Sequence, residues 1–386
     1  MKKILKFVMI LTLISVVGFV TVYANEVING VMSFLGDDIK ISLTQATDKM
    51  LLDSPGAKIA DINYLAAQDT ALGYNESASS ISALLKAYDA AGVFQTTVST
   101  SDKNILRLRS GFATAQGIKN FEAEQNTLKQ ETYNKYFSVL QTNDAVKINT
   151  ENVAIQERIL KNTNKKFDLG MVSKQEVLQA ELGILNAKNS LTKMEEASTM
   201  AKMGFNSFLG YDVMQKLVLT DTLKAADLPD LKLNASIEAA KANRNEIKAA
   251  KFALDMQNFL MIKTEVRYPS SSATYLKQKA AVLSAEQTLR QSITGIEIEM
   301  RGKYMDVLQK HSSIDNGIAS VAKSKELLRL AELSFQVGMN TLTDVQQVQV
   351  LCQSDELALS QAILDYNLAL NAYNIAITSG TFKAPL

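Results

Sequence analysis

The sequence predicts a mainly α-helical protein built from two tandem copies of a long antiparallel coiled-coil hairpin, with little β structure. Only 4 Pro and 17 Gly interrupt the 386 residues and Trp is absent, which favours long helices over a β-sandwich or an α/β enzyme. Apolar residues recur every seven positions, and this pattern itself recurs at a constant offset of 168 residues. A sustained seven-residue repeat holds one helix face against a neighbour, so each copy is expected to be a coiled-coil rod.

The repeat is clearest between segments 131–141 and 299–309, in which Glu, Lys, Tyr, Val, Leu and Gln recur in the same order. The seven-residue series of the two copies are Val139, Val146, Val153, Leu160 and Phe167, and Val307, Ile314, Val321, Leu328 and Phe335. We expect Leu160 and Leu328 to be buried at equivalent places. The pattern predicts one helical hairpin in each copy, over about 117–166 with 173–209 and about 285–334 with 341–378.

The N-terminus predicts export from the cytoplasm. Three lysines precede an apolar run over residues 7–22, and Ala24 follows it, which is typical of a secretory signal peptide cut before Asn25. An uncleaved anchor is the alternative, although the run is shorter than the ~20 residues that a spanning helix needs. The expected organisation is a signal peptide at 1–24, a first repeat at 25–210, a connector at 211–236, a second repeat at 237–380 and a tail at 381–386.

The first copy is longer than the second by 22 residues, which fall around 91–112. The short alternation over residues 106–109 and the polar segment 101–103 predict a short β-hairpin there, formed by 92–100 and 104–112. The matching segment of the second copy, 264–274, is too short for two membrane strands.

Composition excludes several classes of function. Lys and Arg total 41 and Asp and Glu total 40, so no broad basic field favours nucleic acid as a partner. A single Cys and a single His exclude a disulfide framework and a thiolate- or histidine-rich metal site. Cys352 is expected to be a small buried apolar residue, and His311 a surface or rim residue. No nucleophile–base pair, phosphate loop or cofactor motif is present, so the sequence predicts a protein that is no enzyme.

Several of these features together resemble the TolC-type outer-membrane efflux channel family. The sharpest matches are the segments 166–181 and 334–345, in which an aromatic residue precedes x-x-Gly, then Ser or Thr, then an acidic residue and Val. Asn206–Gly210 is similar to the end of the family's repeat, and the resemblance covers about residues 40–380. It implies a homotrimer whose twelve helices form a hollow α-barrel in the periplasm or outer membrane of the cell envelope. The family's membrane β-barrel, which uses two hairpins per protomer, is expected to be reduced or missing here.

The resemblance also implies partners and a site. The hairpin tips would dock a periplasmic adaptor (a membrane fusion protein) that links them to an inner-membrane pump, and association with a membrane would be compatible with this role. The adaptor-docking tips would be Gly170, Met171, Val172, Ser173, Gly338, Met339, Asn340 and Thr341. Charges beside the tips would be gate or docking contacts, or merely solvated groups: Asp168, Lys174, Glu176 and Asp344. The alternative function is a secreted coiled-coil scaffold or interaction protein without a pore.

Overall fold

The computed structural model describes residues 39–93 and 98–386, and within these ranges it contains two short strands and eight helices. In chain order they are β1 (Ile39–Ile41), α1 (Leu43–Asp53), α2 (Pro55–Ala90), α3 (Thr100–Asp168), α4 (Lys174–Leu209), β2 (Leu217–Leu219), α5 (Leu233–Asn243), α6 (Asn245–Arg267), α7 (Ala273–Gln336) and α8 (Leu342–Ile377). The predicted mainly α-helical fold with little β structure is confirmed. The expected signal peptide, residues 1–24, lies outside the described residues.

The internal repeat is visible in the ends of the helices. The ends of α3 and α7 are 168 residues apart, and so are both the starts and the ends of α4 and α8. Earlier in each repeat, α1 and α5 begin and end 190 residues apart, and so do the starts of α2 and α6. Each repeat therefore contains four helices in the same order, and equivalent positions can be compared directly.

Each repeat is organised around one very long helix. α3 has 69 residues and α7 has 64, so each is on the order of 100 Å long at 1.5 Å per residue. α3 packs first against α2 and then against α4, and α7 packs first against α6 and then against α8. Each repeat is thus two antiparallel hairpins, placed end to end, that share their longest helix.

The predicted β-hairpin at 92–112 is wrong for the part that the structure describes. Residues 104–112 belong to α3, which begins at Thr100. The Ser99 hydroxyl accepts a hydrogen bond from the Asp102 N–H, and the Asp102 carboxylate accepts one from the Ser99 N–H. This capping box means that the polar segment interpreted as a turn is the first turn of a helix. The extra residues of the first repeat mainly lengthen its helices.

α2 and α3 approach each other closely through small side chains. Ala67 and Ala71 of α2 are buried, and a Cβ built on Gly117 of α3 would lie 2.9 Å from the Ala67 Cβ. The Ser110 hydroxyl donates a 2.8 Å hydrogen bond to the Ala71 carbonyl. The apolar seven-residue pattern does not extend into this region, because alanine, serine and glycine form the contact.

Larger side chains fill a core near the middle of each repeat. In the first, Tyr136 and Phe205 are fully buried and their rings meet edge to face at 5.9 Å. In the second, Tyr366 and Met300 are fully buried in an equivalent cluster. Each core packs the long helix of its repeat against the shorter helices around it.

The two strands and Asp221, which follows β2, complete the core of the first repeat. β1 pairs with β2 in parallel, with Ile39 opposite Leu217. The Asp221 carboxylate accepts hydrogen bonds from the Tyr136 hydroxyl at 2.6 Å and from the Leu43 N–H at 3.0 Å. Burial, followed by this hydrogen bond, raises the pKa of Tyr136 well above its usual value.

Two extended segments cross between the repeats. In the connector, the Asn367 side chain of α8 accepts from the Ala226 N–H at 3.0 Å and donates to the Lys224 carbonyl at 2.8 Å. At the other end of the second repeat, the Asn120 side chain of α3 accepts from the Ala384 N–H at 3.0 Å and donates to the Ala384 carbonyl at 2.8 Å. The side chains of Asn367 and Asn120 therefore bind the backbones of these two segments, and these contacts connect the repeats.

Candidate functional site: the hairpin tips

Both predicted tips are tight turns of the same design. Gly170 has φ +69° and Gly338 has φ +82°, the left-handed conformation that glycine adopts without a Cβ penalty. The Met171 N–H donates to the Lys166 carbonyl, and the Met339 N–H donates to the Ser334 carbonyl, both at 2.8 Å. This pattern satisfies helix-end carbonyls and reverses the chain within five residues. A Cβ on either glycine would meet no heavy atom within 4 Å, so the backbone conformation alone requires glycine.

The residues after each turn start the next helix with a capping box. The Ser173 hydroxyl accepts from the Glu176 N–H, and the Glu176 carboxylate accepts from the Ser173 N–H at 2.9 Å. Thr341 and Asp344 make the same pair of bonds in the second repeat. The hydrogen bonds from the Thr341 hydroxyl and N–H lower the pKa of Asp344. Local capping thus gives Glu176 and Asp344 a structural role within their own helices.

The two tips lie side by side at one end of the molecule. Lys166 of α3 is buried, lies 4.1 Å from the centroid of the Phe335 ring and donates a hydrogen bond to the Phe335 carbonyl. In the first repeat, Lys174 lies 5.9 Å from the centroid of the Phe167 ring, which is exposed. Lys166 is not among the residues predicted for the site. The sequence feature that could have identified it is a difference between the repeats, because the equivalent position of the second repeat is Ser334.

The turns present apolar side chains to solvent. Leu169, Met171, Val337 and Met339 are exposed by 74%, 58%, 62% and 80%. Val172 and Asn340 are half-buried, and Asp168 and Lys174 are exposed. The two tight turns, each with a glycine at its centre, thus form an apolar surface that charged groups surround.

Behind the tips, the two repeats meet along a column of amide side chains between α3 and α8, which we call the amide ladder. The Gln353 side chain donates a hydrogen bond to Asn149 Oδ1 at 3.0 Å and accepts one from Asn152 Nδ2 at 2.9 Å. The Gln156 side-chain amide donates to Gln349 Oε1 at 2.9 Å. Gln349 also donates to Asn152. All of these except the half-buried Gln353 are at least 94% buried. Uncharged hydrogen bonds therefore join the repeats here, next to an apolar cluster in which Ile159 of α3 packs with Val345 and Cys352 of α8.

α4 forms the other wall of a groove that runs over the ladder. The groove has a volume of about 360 Å³ and is bounded by α4, α8 and the ladder residues of α3. A Cβ on Gly183 of α4 would lie 2.7 Å from the Gln156 Oε1 and 3.1 Å from the Gln346 Nε2. Glycine at this position therefore lets the amides approach the backbone of α4.

The ladder explains one departure from the predicted seam. Leu328 is 7% exposed, but its counterpart Leu160 is only half-buried, so the two positions are not equivalent in the chain. α3 lies between α4 and α8 and must cover two neighbours, and its Asn and Gln positions face α8. The buried face of α3 is consequently shifted from the apolar series towards the amides.

The two residues considered for other chemistry have ordinary surroundings. Cys352 is 4% exposed, and burial raises the pKa of its thiol, as expected for a packing residue. His311 packs edge-on against Tyr366 at 5.3 Å and lies 3.6 Å from Asp315. Over residues 39–93 and 98–386, no group of three or more His, Cys, Asp or Glu side chains is arranged to hold a metal ion.

Comparison with known proteins identifies the fold. The Vibrio cholerae outer membrane protein VceC aligns over 88% of this chain and 97% of its own length, with 12% identity and a TM-score of 0.64. The Campylobacter jejuni outer membrane channel CmeC aligns over 88% and 86%, with 14% identity and a TM-score of 0.64. CusC, which forms a transmembrane channel, aligns over 88% and 92%, with 12% identity and a TM-score of 0.67. The resemblance found in the sequence is thus confirmed for the fold.

Sequence comparison adds no closer relative, because no family model and no curated protein matches the chain. CmeC and CusC, which share the fold, are channels, in agreement with the expectation that this chain is no enzyme. Among the described helices, none is both long and apolar enough to cross a membrane.

Proposed function

We propose that this chain is a channel or duct subunit of a tripartite-type efflux or secretion system in the cell envelope. Three copies would assemble into a tube of twelve long helices, through which exported solutes pass. The hairpin tips would dock a periplasmic adaptor that connects the tube to an inner-membrane pump. The fold shared with outer membrane channels over 88% of the chain supports this role.

The observation that carries the docking role is the pair of exposed apolar turns. Met171 and Met339 occupy equivalent positions in the two repeats and stay largely in solvent on turns fixed by capping boxes. Exposed apolar surface on a rigid element is typical of a protein interaction site. Because the tips lie side by side, two similar binding elements of a partner could engage one protomer.

Site-specific photo-crosslinking in the native host tests the docking role. A photoreactive residue at Met171 or Met339 should give covalent adducts that mass spectrometry identifies as an adaptor with a periplasmic helical hairpin. The matched control is Val266, which is 84% exposed at the end of α6, far from the tips. Adducts with that adaptor from Val266, or none from either tip, would reject the docking role.

The secreted scaffold is the competing function, and the oligomeric state separates the two. A duct requires several copies around an axis, whereas a scaffold can act as a single rod. Light scattering of the mature chain in mild detergent is expected to give the mass of a trimer. A monomer that persists at high concentration would reject the duct.

A further inference from the structure

The end of the molecule opposite the tips is formed by two short connections between helices. Residues 91–99 join α2 to α3, and residues 268–272 join α6 to α7. These connections lie close together, because the Lys263 ammonium group of α6 is 3.1 Å from the Asp102 carboxylate of α3. We call this region the basic end and define it as residues 84–93, 98–109 and 262–283.

The basic end differs from the tips in charge. It contains eight Lys and Arg residues but only three Asp and Glu residues, so its 44 residues carry a net charge of +5. An equal number of residues at the tips, 160–181 and 328–349, contains five of each kind and is neutral. Because the whole chain carries only +1, the positive charge is concentrated at one end of the molecule.

Most of this charge faces solvent. Lys263 and Asp102 neutralise each other, which leaves Asp89 and Glu265 as the acidic residues of the basic end. All the exposed cations lie within ten residues, or about 15 Å, of a helix end. They are Lys86, Arg107, Arg109, Arg267, Lys277 and Lys279.

Apolar side chains are exposed among these cations. Val266 is 84% exposed in the last turn of α6, and Ile262 lies one turn earlier on the same face and is 63% exposed. Val93 and Tyr268, on the two connections, are 54% and 44% exposed. Aliphatic side chains and tyrosine enter the boundary between lipid headgroups and acyl chains, while Lys and Arg keep their charges at the headgroups.

We propose that the basic end binds the surface of an anionic phospholipid bilayer. Val93, Val266 and Tyr268 enter the interfacial layer, and the surrounding cations contact the negative headgroups. A nucleic acid would satisfy the cations alone and leave the aliphatic side chains in water, so the combination favours lipid. The rod then stands on the membrane with its tips directed away from it. This contact goes beyond the proposed duct and requires no trimer, although several copies would strengthen it.

Sedimentation of the mature chain with lipid vesicles tests the charge requirement. Vesicles of phosphatidylglycerol and phosphatidylcholine in equal parts should bind the chain at least tenfold more tightly than phosphatidylcholine alone. Arg267→Gln, Lys277→Gln and Lys279→Gln together should weaken this binding at least tenfold. The matched control is the combination of Lys161→Gln, Lys165→Gln and Lys323→Gln, which removes three exposed cations nearer the tips and should leave binding within twofold.

Circular dichroism establishes that both triple variants keep their helices, so a loss of binding cannot come from unfolding. Equal binding to both kinds of vesicle, or equal losses from the two triple variants, overturns the proposal. Tighter binding to a DNA duplex than to the anionic vesicles assigns the basic end to nucleic acid and overturns it as well.

An environment-sensitive fluorophore tests which end of the molecule meets the lipid. Cys352 is the sole cysteine, so a Cys352→Ala background allows one label on Val266→Cys or on Met171→Cys. Anionic vesicles should shift the emission to the blue at Val266→Cys and leave it unchanged at Met171→Cys. No shift at Val266→Cys, or an equal shift at the tip, contradicts the proposal. A trimer that ignores anionic vesicles rejects only this inference, whereas a monomer that binds them rejects only the proposed duct.

Discussion

Replacing Gln349 with alanine should lower the free energy of unfolding by about 2 kcal/mol. The Gln349 side chain is 2% exposed, accepts a hydrogen bond from Gln156 and donates one to Asn152. Its loss leaves two buried polar groups without partners, each costing about 1–3 kcal/mol. The adjoining groove is roomy and polar enough for water to reach them, which places the sum near the lower limit.

The repeat provides the control for this substitution. Glu181 is the residue of the first repeat that corresponds to Gln349, and it is exposed. Glu181→Ala should change the free energy of unfolding by less than about 0.5 kcal/mol. Urea unfolding followed by circular dichroism at one fixed protein concentration measures both variants, since assembly would otherwise shift the midpoint. The reasoning about the ladder fails if the two substitutions have the same effect.

Three further predictions concern the turns and the buried tyrosine. Gly338→Val should lower the free energy of unfolding in urea by about 1–2 kcal/mol, because valine is strained at positive φ. Gly302→Ala, in the middle of α7, should instead raise it. Equal effects of the two substitutions would contradict the left-handed conformation of Gly338. The pKa of Asp344 is lowered in the folded chain, so the ionised carboxylate stabilises the fold above the ordinary pKa of 3.8, and this stabilisation is lost as the pH falls through the lowered pKa. Asp344→Asn should therefore reduce the drop in the thermal midpoint that acid causes. A drop equal to that of the wild type would contradict the role of the carboxylate. Tyr136→Phe should cost about 1.5–3 kcal/mol through a lost hydrogen bond to a carboxylate, with its repeat partner Tyr304→Phe as the milder control in the same assay.

The sequence could predict those parts of the fold in which large apolar residues and turn residues determine the structure. The helix pairs around Gly170 and Gly338 follow from the seven-residue series and from glycine at the helix ends, and the structure places both turns where expected. The contact between α2 and α3 was missed because alanine and glycine pack there without an apolar seam. The β-hairpin was wrongly predicted because Ser99 and Asp102 favour a polar turn and a helix start equally well.

The amide ladder could not be predicted for a different reason. Asparagine and glutamine on a long helix usually face solvent, so the residues of α3 and α8 that form the ladder resemble a surface. Only the neighbouring helix shows that Asn152 and Gln349 are partners, and these are 197 positions apart. Burial of Lys166 has the same origin, because its partner Phe335 belongs to the other repeat.

The contact between the two repeats is favoured by the way in which the chain holds them together. Within the chain, the connector at Asn367 and the tail at Asn120 keep the repeats close, so little association entropy opposes their contact. The amide ladder, whose neutral hydrogen bonds are each worth about 1 kcal/mol net, then holds α3 on α8 together with the apolar cluster around Ile159 and Val345. Separate copies have no such tether, and their contact must offset the translational and rotational freedom that is lost. A contact between copies of the proposed trimer therefore needs more buried apolar surface than the contact between the repeats does.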